Sequence, residues 1–154
     1  LVNLNNGIRN KIIRYQGQTV IQEIDRDEHG NPIFPKKDYM LYLSENTNGD
    51  IWVSNNRALV VLDATGRVRF RYDGNAAGRT SPFGPRCIVT DTLGQIIVSD
   101  MDNDCLHVLD QDGNFLCCID NLGLDQASGM SVDSAGRLWV GSLCSGEIKV
   151  IEYL

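Results

Sequence analysis

An acidic run, Asp100-Met-Asp102-Asn-Asp104, has the residue types and spacing that could bind a cation. Carboxylates at alternate positions open the calcium-binding loop of EF-hand sites. Counted from Asp100, however, the sixth position is Cys105, where that loop has glycine, and the twelfth is Gln111, where it has glutamate. We therefore expect a solvated loop between two strands here, and we predict no metal site.

The cysteines and histidines do not form a recognisable metal or redox motif. The cysteines are Cys87, Cys105, Cys117, Cys118 and Cys144. No C-x-x-C pair occurs, and the spacing of the cysteines from His29 and His107 does not match a zinc site. Cys117 and Cys118 are neighbours in a predicted strand, so they point to opposite faces and are poorly placed to bridge each other. We interpret all five as reduced, mostly buried thiols of a cytoplasmic protein, and we predict no cofactor.

No pairing of a nucleophile with a base stands out. His107 alternates with Leu106 and Val108, and a lone strand histidine is more often packed or solvated than catalytic. The serines lack a G-x-S-x-G context, and glycine-rich phosphate loops are absent. We therefore predict that this chain is not itself an enzyme.

The charge balance of the 154 residues argues against general binding of nucleic acid or anionic lipid, because the net charge is −6. One local exception is the set Arg67, Arg69 and Arg71, which alternation places on one strand face. These side chains could contact RNA phosphates, although solubility and edge protection suffice to explain them. No apolar run approaches the roughly 20 residues of a membrane helix, so no membrane partner is predicted.

Five Asx-x-x-Gly turns define a repeat. An Asn or Asp side chain accepts backbone hydrogen bonds from the residues that follow it, and glycine supplies a positive-φ position. The turns span 46–49, 63–66, 91–94, 110–113 and 133–136. Gly49, Gly94 and Gly136 are 45 and 42 residues apart, while Gly66 and Gly113 are 47 apart. A period near 45 residues built from short strands predicts the blades of a β-propeller.

We predict an all-β chain with two complete four-stranded antiparallel blades and two incomplete ones. The blade at 38–74 has strands at 39–44, 51–54, 58–62 and 67–72, and the blade at 83–120 has strands at 87–90, 95–99, 106–109 and 114–119. The incomplete blades are 1–24, with strands at 1–6, 11–15 and 19–24, and 127–154, with strands at 129–132, 137–140 and 147–151. Residues 25–38 form either a hairpin or a loop, since Pro32 and Pro35 disfavour a central strand. Trp52 and Trp139 occupy matching strand positions, and we expect both to pack between blades.

The strand count amounts to about half a ring, because propellers have roughly 4–8 blades. Two open edges would invite pairing with other strands. We therefore expect the chain to be a fragment of a longer propeller. The remainder of the ring, or a second copy of the chain, would cover those edges.

These residues resemble the NHL-repeat family and, within it, the tripartite-motif (TRIM) NHL proteins. The segment at 83–100 resembles the family's core signature, with Cys87 in place of its usual glycine, which Gly129 restores in the next repeat. Segments 59–74 and 148–154 are similar to the invertebrate members. The resemblance implies a six-bladed propeller, of which this chain would hold about 3.5 blades from the C-terminal half. RING, B-box and coiled-coil segments would lie upstream in a ubiquitin ligase.

In a propeller, the loops joining second to third strands share a face with the crossings between blades. We predict that this face binds a partner. Its candidate residues are Asn5, Asn6, Lys36, Lys37, Asn55, Asn56, Arg57, Arg79, Arg86, Asp102, Asn103, Asp104 and Ser145. Mixed polar side chains on a rigid rim suit protein recognition.

Three functions remain open at this point. The first is recognition of a substrate protein for a TRIM-NHL ubiquitin ligase whose catalytic residues lie outside this chain. The second is RNA binding in post-transcriptional regulation, which members of the same family also imply. The third is a calcium-dependent hydrolase of the lactonase type, which would need several carboxylates converging on the central channel.

Overall fold

The computed structural model describes residues 10–34, 40–55 and 57–153. Thirteen strands are present within these ranges. They are β1 (Ile12–Gln16), β2 (Thr19–Ile24), β3 (Leu43–Glu45), β4 (Ile51–Asn55), β5 (Ala58–Leu62), β6 (Val68–Tyr72), β7 (Pro85–Thr90), β8 (Ile96–Asp100), β9 (Cys105–Leu109), β10 (Phe115–Ile119), β11 (Ala127–Val132), β12 (Leu138–Ser142) and β13 (Ile148–Ile151). The only helical segment in the described ranges is a short 3₁₀ turn at Asn75–Ala77.

The strands form four antiparallel sheets in which neighbours along the chain are neighbours in space. The sheets contain β1–β2, β3–β6, β7–β10 and β11–β13. The first strand of the third sheet, β7, contacts the first strands of the sheets before and after it, β3 and β11. Consecutive meanders with adjacent first strands are the arrangement of propeller blades. The predicted all-β architecture of a partial propeller is therefore confirmed. Across the described ranges, no helix has the length and apolar content needed to span a bilayer.

Most strands begin and end within two residues of their predicted positions. The main exception is the strand predicted at 39–44, because pairing with β4 is limited to Leu43–Glu45. Before it, the Ser54 hydroxyl accepts a hydrogen bond from Tyr42 N at 3.0 Å, while Ser54 N donates to Tyr42 O at 2.8 Å. The Ser54 hydroxyl thus takes the place of a backbone acceptor at the start of the β3–β4 ladder. The strand predicted at 1–6 lies outside the described residues.

The ambiguous connection after β2 forms a small hairpin. Arg26 and Pro32 make an isolated antiparallel bridge. The turn between them is held by Asp27, whose Oδ1 accepts hydrogen bonds from His29 N at 2.9 Å and Asn31 N at 2.8 Å. Ile33 and the next residue of the connection are buried against the second sheet, so the hairpin closes one core.

The five predicted Asx-x-x-Gly turns share one hydrogen-bond pattern. In the turn after β5, Asp63 Oδ1 accepts from Thr65 N at 2.8 Å and from Arg67 N at 3.1 Å. Gly66 closes that turn with φ +90°. The carboxylate thus satisfies two backbone donors that the hairpin leaves free, as the sequence predicts. The side-chain oxygen of the Asn or Asp has this structural use in all five copies.

The hydrogen bonds of one turn, that of Asp133, can be tested through the pH dependence of stability. A hydrogen bond from the Trp139 indole and one from Arg137 N lower the pKa of Asp133 to about 2. The pKa in the unfolded chain is about 3.9, so its contribution to stability is complete above that pH and is lost as pH falls through about 2. We expect the difference in urea midpoint between wild type and Asp133→Asn to shrink between pH 4 and pH 2. A difference that stays constant over this range would contradict the assignment.

Three apolar cores lie between the sheets, and alternate residues of a middle strand belong to different cores. In β4, Ile51 and Val53 pack with the first sheet and the hairpin, whereas Trp52 packs with the third sheet. In β8, Ile97 likewise packs with the fourth sheet while its neighbours pack with the second. Burial on both faces explains why these strands are uniformly apolar. The strand β6 has one wet face instead, and alternates as predicted.

The prediction that Trp139 packs between blades is wrong. Trp52 has no exposed surface, but the Trp139 side chain is 40% exposed. Leu138 and Val140 point into the core beneath the fourth sheet, so Trp139 lies on the opposite face. Ile148 and Val150, on the same face, are also exposed. No described strand covers this face, which is why the same strand position gives the opposite burial.

Candidate functional site

The structure brings the predicted loops together on one face of the chain. Arg57, between β4 and β5, forms an ion pair with Asp102, between β8 and β9. The Arg57 guanidinium also donates to the carbonyl oxygens of Pro82 and Phe83, each at 3.4 Å. This one side chain therefore joins the loop of one blade to the crossing and loop of the next. We call the surface formed by these loops and crossings the loop face.

Further hydrogen bonds tie the loop face into a continuous surface. Ser81 N donates to Asn103 Oδ1, and Asn103 Nδ2 donates to Ser81 O, both at 3.2 Å. Asp104 accepts from Gln126 N at 2.9 Å, which links the β8–β9 loop to the crossing before β11. Asp104 adopts φ +49° to do so. Loops fixed in this way present a surface that requires little ordering when a partner binds.

A cavity of about 170 Å³ opens where the loop face meets β7. It is lined by Met40, Arg57, Gly84, Pro85, Arg86, Met101 and Asp102. A Cβ on Gly84 would lie 2.8 Å from Asp102 Cγ, so glycine allows the Asp102 carboxylate to reach Arg57. Arg86 adds a second cationic group to the wall, and two methionines supply flexible apolar surface.

A second cavity, of about 230 Å³, lies along the crossing between β6 and β7. Its wall includes Arg79, Phe83, Asp100 and Asn103. Arg79 forms an ion pair with Asp120 at 2.5 Å, and this hydrogen bond raises the pKa of the guanidinium above its ordinary value. The pair joins the crossing to the end of β10.

Several predicted site residues do not line the first cavity. Asn55 is half-buried and its Nδ2 donates to Ile33 O at 3.4 Å, so it braces the hairpin. Asn103 and Asp104 hold loops together, and Arg79 lies at the second cavity. Asn5, Asn6, Lys36, Lys37 and Asn56 lie outside the described residues. Arg57, Arg86 and Asp102 are the predicted residues that the structure gathers around one cavity.

The expectation of a solvated acidic loop at 100–104 is wrong for its first carboxylate. Asp100 is fully buried at the end of β8. It accepts hydrogen bonds from Gly84 N at 3.0 Å and Asn103 Nδ2 at 2.8 Å. Asp102 and Asp104 bind different partners, as described above. The three carboxylates are therefore used separately, which does not fit a calcium loop, where they share one ion.

The cysteines are free thiols, as predicted, but most of them are not buried. Cys105 is buried, Cys87 and Cys118 are half-buried, and Cys117 and Cys144 are exposed. Burial, with the neighbouring Cys118 as a second cause, raises the pKa of the Cys105 thiol well above its ordinary value. Cys105 therefore stays protonated at neutral pH in the absence of a ligand.

The sequence did not reveal a cluster of Cys105 and His107, which are buried, with Cys118, which is half-buried. One ligand atom from each lies within 4.8 Å of the others. Residues 105 and 107 share a strand face, and Cys118 pairs directly with His107 across β9 and β10. The pairing of β9 with β10, and not the spacing of these residues along the chain, brings the three side chains together. A comparison with the spacings of zinc-finger ligands therefore does not find them.

The basic stripe on β6 is partly neutralised. The Arg69 guanidinium forms ion pairs with Asp50 and, at 3.4 Å, with Asp112, and the hydrogen bond to Asp50 raises its pKa. Arg67 and Arg71 are exposed. The stripe thus retains less free positive charge for a phosphate backbone than the sequence suggested.

Comparison with solved structures identifies the fold class. The WD40 β-propeller domain of Doa1 superposes with a TM-score of 0.67 at 17% identity, over 93% of this chain and 45% of that one. A catalytically inactive virginiamycin B lyase from Staphylococcus aureus, solved with quinupristin, superposes with a TM-score of 0.64 at 16% identity. The match covers 99% of this chain and 58% of the lyase. The extracellular domain of a hybrid two-component system from B. thetaiotaomicron superposes with a TM-score of 0.63 at 11% identity. The match covers 95% of this chain and 20% of that one.

The class of protein that the fold defines is the β-propeller. No family model matches the sequence, and no curated protein matches it either. The chain spans 40–58% of the length of the three lyase structures to which it is similar. Identities below 20% establish a shared fold and carry no activity from those proteins to this one.

Proposed function

We propose that this chain is a protein-recognition module whose loop face captures a partner. The single observation that carries the proposal is the ion pair between Arg57 and Asp102, which fixes loops of two adjacent blades around one cavity. Propellers concentrate recognition on loops that a rigid scaffold positions. The cavity is small, so it suits one side chain of a protein better than a whole small-molecule substrate.

The lining of the cavity indicates the chemistry of that side chain. Arg86 provides positive charge, and Asp102 already offsets the charge of Arg57. Met40 and Met101 provide adaptable apolar contact. A glutamate or aspartate next to an apolar residue in the partner would satisfy both features, because arginine binds carboxylates through paired hydrogen bonds.

At a finer level, we propose that the partner is a substrate of a TRIM-NHL ubiquitin ligase acting in the cytoplasm. The resemblance of the segment at 83–100 to the NHL signature supports this proposal, and the free thiols are compatible with a reducing compartment. Catalysis would then belong to a RING domain outside these residues, while this chain selects what is modified.

The two other candidate functions receive less support from the geometry. RNA binding by the β6 stripe is weakened by the carboxylates that pair with Arg69. A hydrolase of the lactonase type would need free carboxylates, but Asp91 and Asp133 are occupied by the backbone of their own turns. Tyr153 also donates to Asp91 at 3.1 Å.

Charge reversal at Arg86 tests the proposed function. We expect Arg86→Glu to lose at least about tenfold in affinity for the captured partner, because a carboxylate would then repel the partner's acidic side chain. The control is Arg71→Glu, which makes the same charge change at an exposed position on β6. The measurement is quantitative affinity capture with the wild-type chain and both variants, followed by calorimetry on the recovered partner.

The same pair of variants separates protein from RNA recognition. Loss of binding by Arg71→Glu with full binding by Arg86→Glu would contradict the loop face and favour the basic stripe. An anisotropy titration with RNA pools at several salt concentrations would then give a steep salt dependence. For the proposed protein partner, we expect the affinity to depend only weakly on salt beyond the effect of one charge pair.

A further inference from the structure

The cluster of Cys105, His107 and Cys118 has the geometry of a small metal site. It lies on the face of the third sheet that packs toward the second sheet. Two ligands come from one strand at alternate positions, and the third comes from the neighbouring strand. Strand pairing therefore fixes all three Cα positions, so that forming the site would require only side-chain movement.

The imidazole of His107 is held but not fully used. Its Nδ1 lies 2.9 Å from the Tyr72 hydroxyl, and the ring stacks on Phe83 with centroids 4.8 Å apart. Its Nε2 is buried and makes no hydrogen bond to the described residues. The Asp100 Oδ2 atom lies 3.2 Å from Nε2 and forms an ion pair with it only when the imidazole is protonated. A buried polar atom without a partner is costly, and a ligand at that position would remove the cost.

We propose that Cys105, His107 and Cys118 bind a thiophilic transition-metal ion, with zinc as the representative. Zinc binds thiolate sulfur at about 2.3 Å and imidazole nitrogen at about 2.0–2.1 Å, so tetrahedral sulfur ligands lie roughly 3.8 Å apart. The three ligand atoms are within 4.8 Å of one another, so they need to close by about 1 Å at most. Two sulfurs and one imidazole are a donor set that zinc prefers over magnesium or calcium.

The surroundings supply the other features that a metal site requires. Tyr72 contacts the other imidazole nitrogen, Nδ1, and would orient the ring, as outer-shell partners do in metal proteins. The cavity of about 230 Å³ is lined by Phe83 and Asp100, both of which contact His107, so it lies next to the cluster. Three protein ligands leave a fourth position for water or for the Asp100 carboxylate. Each thiol loses its proton when it becomes a ligand, so binding of Zn²⁺ releases two protons.

Zinc titration of the intact, metal-stripped chain tests this proposal. We expect one equivalent of Zn²⁺ to bind, with two protons released, and Co²⁺ to give thiolate charge-transfer absorption when it takes the place of zinc. Cys118→Ser should weaken Zn²⁺ binding at least about 100-fold, since loss of a ligand exceeds the 10–100-fold cost of an outer-shell change. The matched control is Cys117→Ser, one residue away and exposed, which should bind like wild type.

Loss of Zn²⁺ binding by a variant must be distinguished from loss of folding. Cys118 is half-buried, so we expect Cys118→Ser to fold, and circular dichroism with a urea titration checks this. A Cys105→Ser variant provides a second test of the same site. Failure of wild type to bind Zn²⁺, or equal loss in Cys117→Ser and Cys118→Ser, would overturn the proposal. A Co²⁺ spectrum without thiolate absorption would also overturn it. None of these results bears on the loop face, so the proposed function is tested separately.

Discussion

Replacing Trp52 with alanine is expected to lower the free energy of unfolding by about 3–5 kcal/mol. The indole has no exposed surface and packs edge-on to Phe70, with ring centroids 5.4 Å apart. Its removal leaves a cavity in the core between the second and third sheets. Urea denaturation followed by fluorescence and circular dichroism measures the change. The buried indole N–H has no hydrogen-bond partner among the described residues, so the loss comes from packing.

The matched control is Trp139→Ala, at the corresponding position of the fourth sheet. Its side chain is 40% exposed and its Nε1 donates to Asp133 at 3.0 Å. We expect a loss of about 1 kcal/mol, the usual contribution of one such hydrogen bond. Equal losses for Trp52→Ala and Trp139→Ala would contradict the described packing, because they would require both faces to be buried alike.

A methyl group at Gly113 is expected to destabilise the chain by about 3 kcal/mol. Gly113 has φ +85°, where a Cβ costs roughly 1–2 kcal/mol. The added Cβ would also lie only 2.1 Å from the Phe70 ring, and forcing atoms into a packed core costs about 1–3 kcal/mol more. The Gly113 turn belongs to the third sheet and Phe70 to the second, so Gly113→Ala measures the closeness of two blades. Thermal and urea unfolding provide the values.

Gly136→Ala isolates the backbone contribution. Gly136 closes another Asx-x-x-Gly turn, between the first and second strands of the fourth sheet, and has φ +79°. No described atom lies within 4 Å of its added Cβ. We expect a loss of about 1–2 kcal/mol, which is the strain of positive φ alone. If Gly113→Ala costs no more than Gly136→Ala, the contact between Phe70 and the neighbouring blade is not present in solution.

The sequence predicted local structure well because its main signals are local. The Asx-x-x-Gly turns carry their own hydrogen bonds, so Asp63 and Gly66 specify a hairpin whatever packs above them. Alternation in β6 and uniform apolarity in β4 then follow from how many faces are buried. The turns and the apolar patterns suffice to predict the strands of each sheet. They do not predict which residues of one sheet contact which residues of the next.

Predictions failed where burial depends on another sheet. Trp139 and Trp52 have the same strand context, and only the presence or absence of a covering sheet separates them. Asp100 looks like a loop carboxylate in the sequence, but it ends a central strand and is buried by the loops around it. Burial of this kind depends on contacts between residues far apart in the chain.

The sequence predicted only those residues of the candidate site that blade topology alone brings together. Blade topology placed Arg57 and Asp102 on one face, and the structure joins them. Arg86 could be placed near them only through the crossing that leads into β7. The cluster around His107 required the register of β9 and β10, which no residue spacing along the chain reveals.

Hydrogen–deuterium exchange of the chain with and without its captured partner tests the central claim most directly. We expect slower exchange on binding at residues 57–58, 81–86 and 101–104, the segments of the loop face that include most of the residues lining its cavity. The turns at 63–66 and 110–113, on the opposite ends of the same strands, should exchange at unchanged rates. Protection confined to those turns or to β6, with none around Arg57, Arg86 and Asp102, would contradict recognition by the loop face.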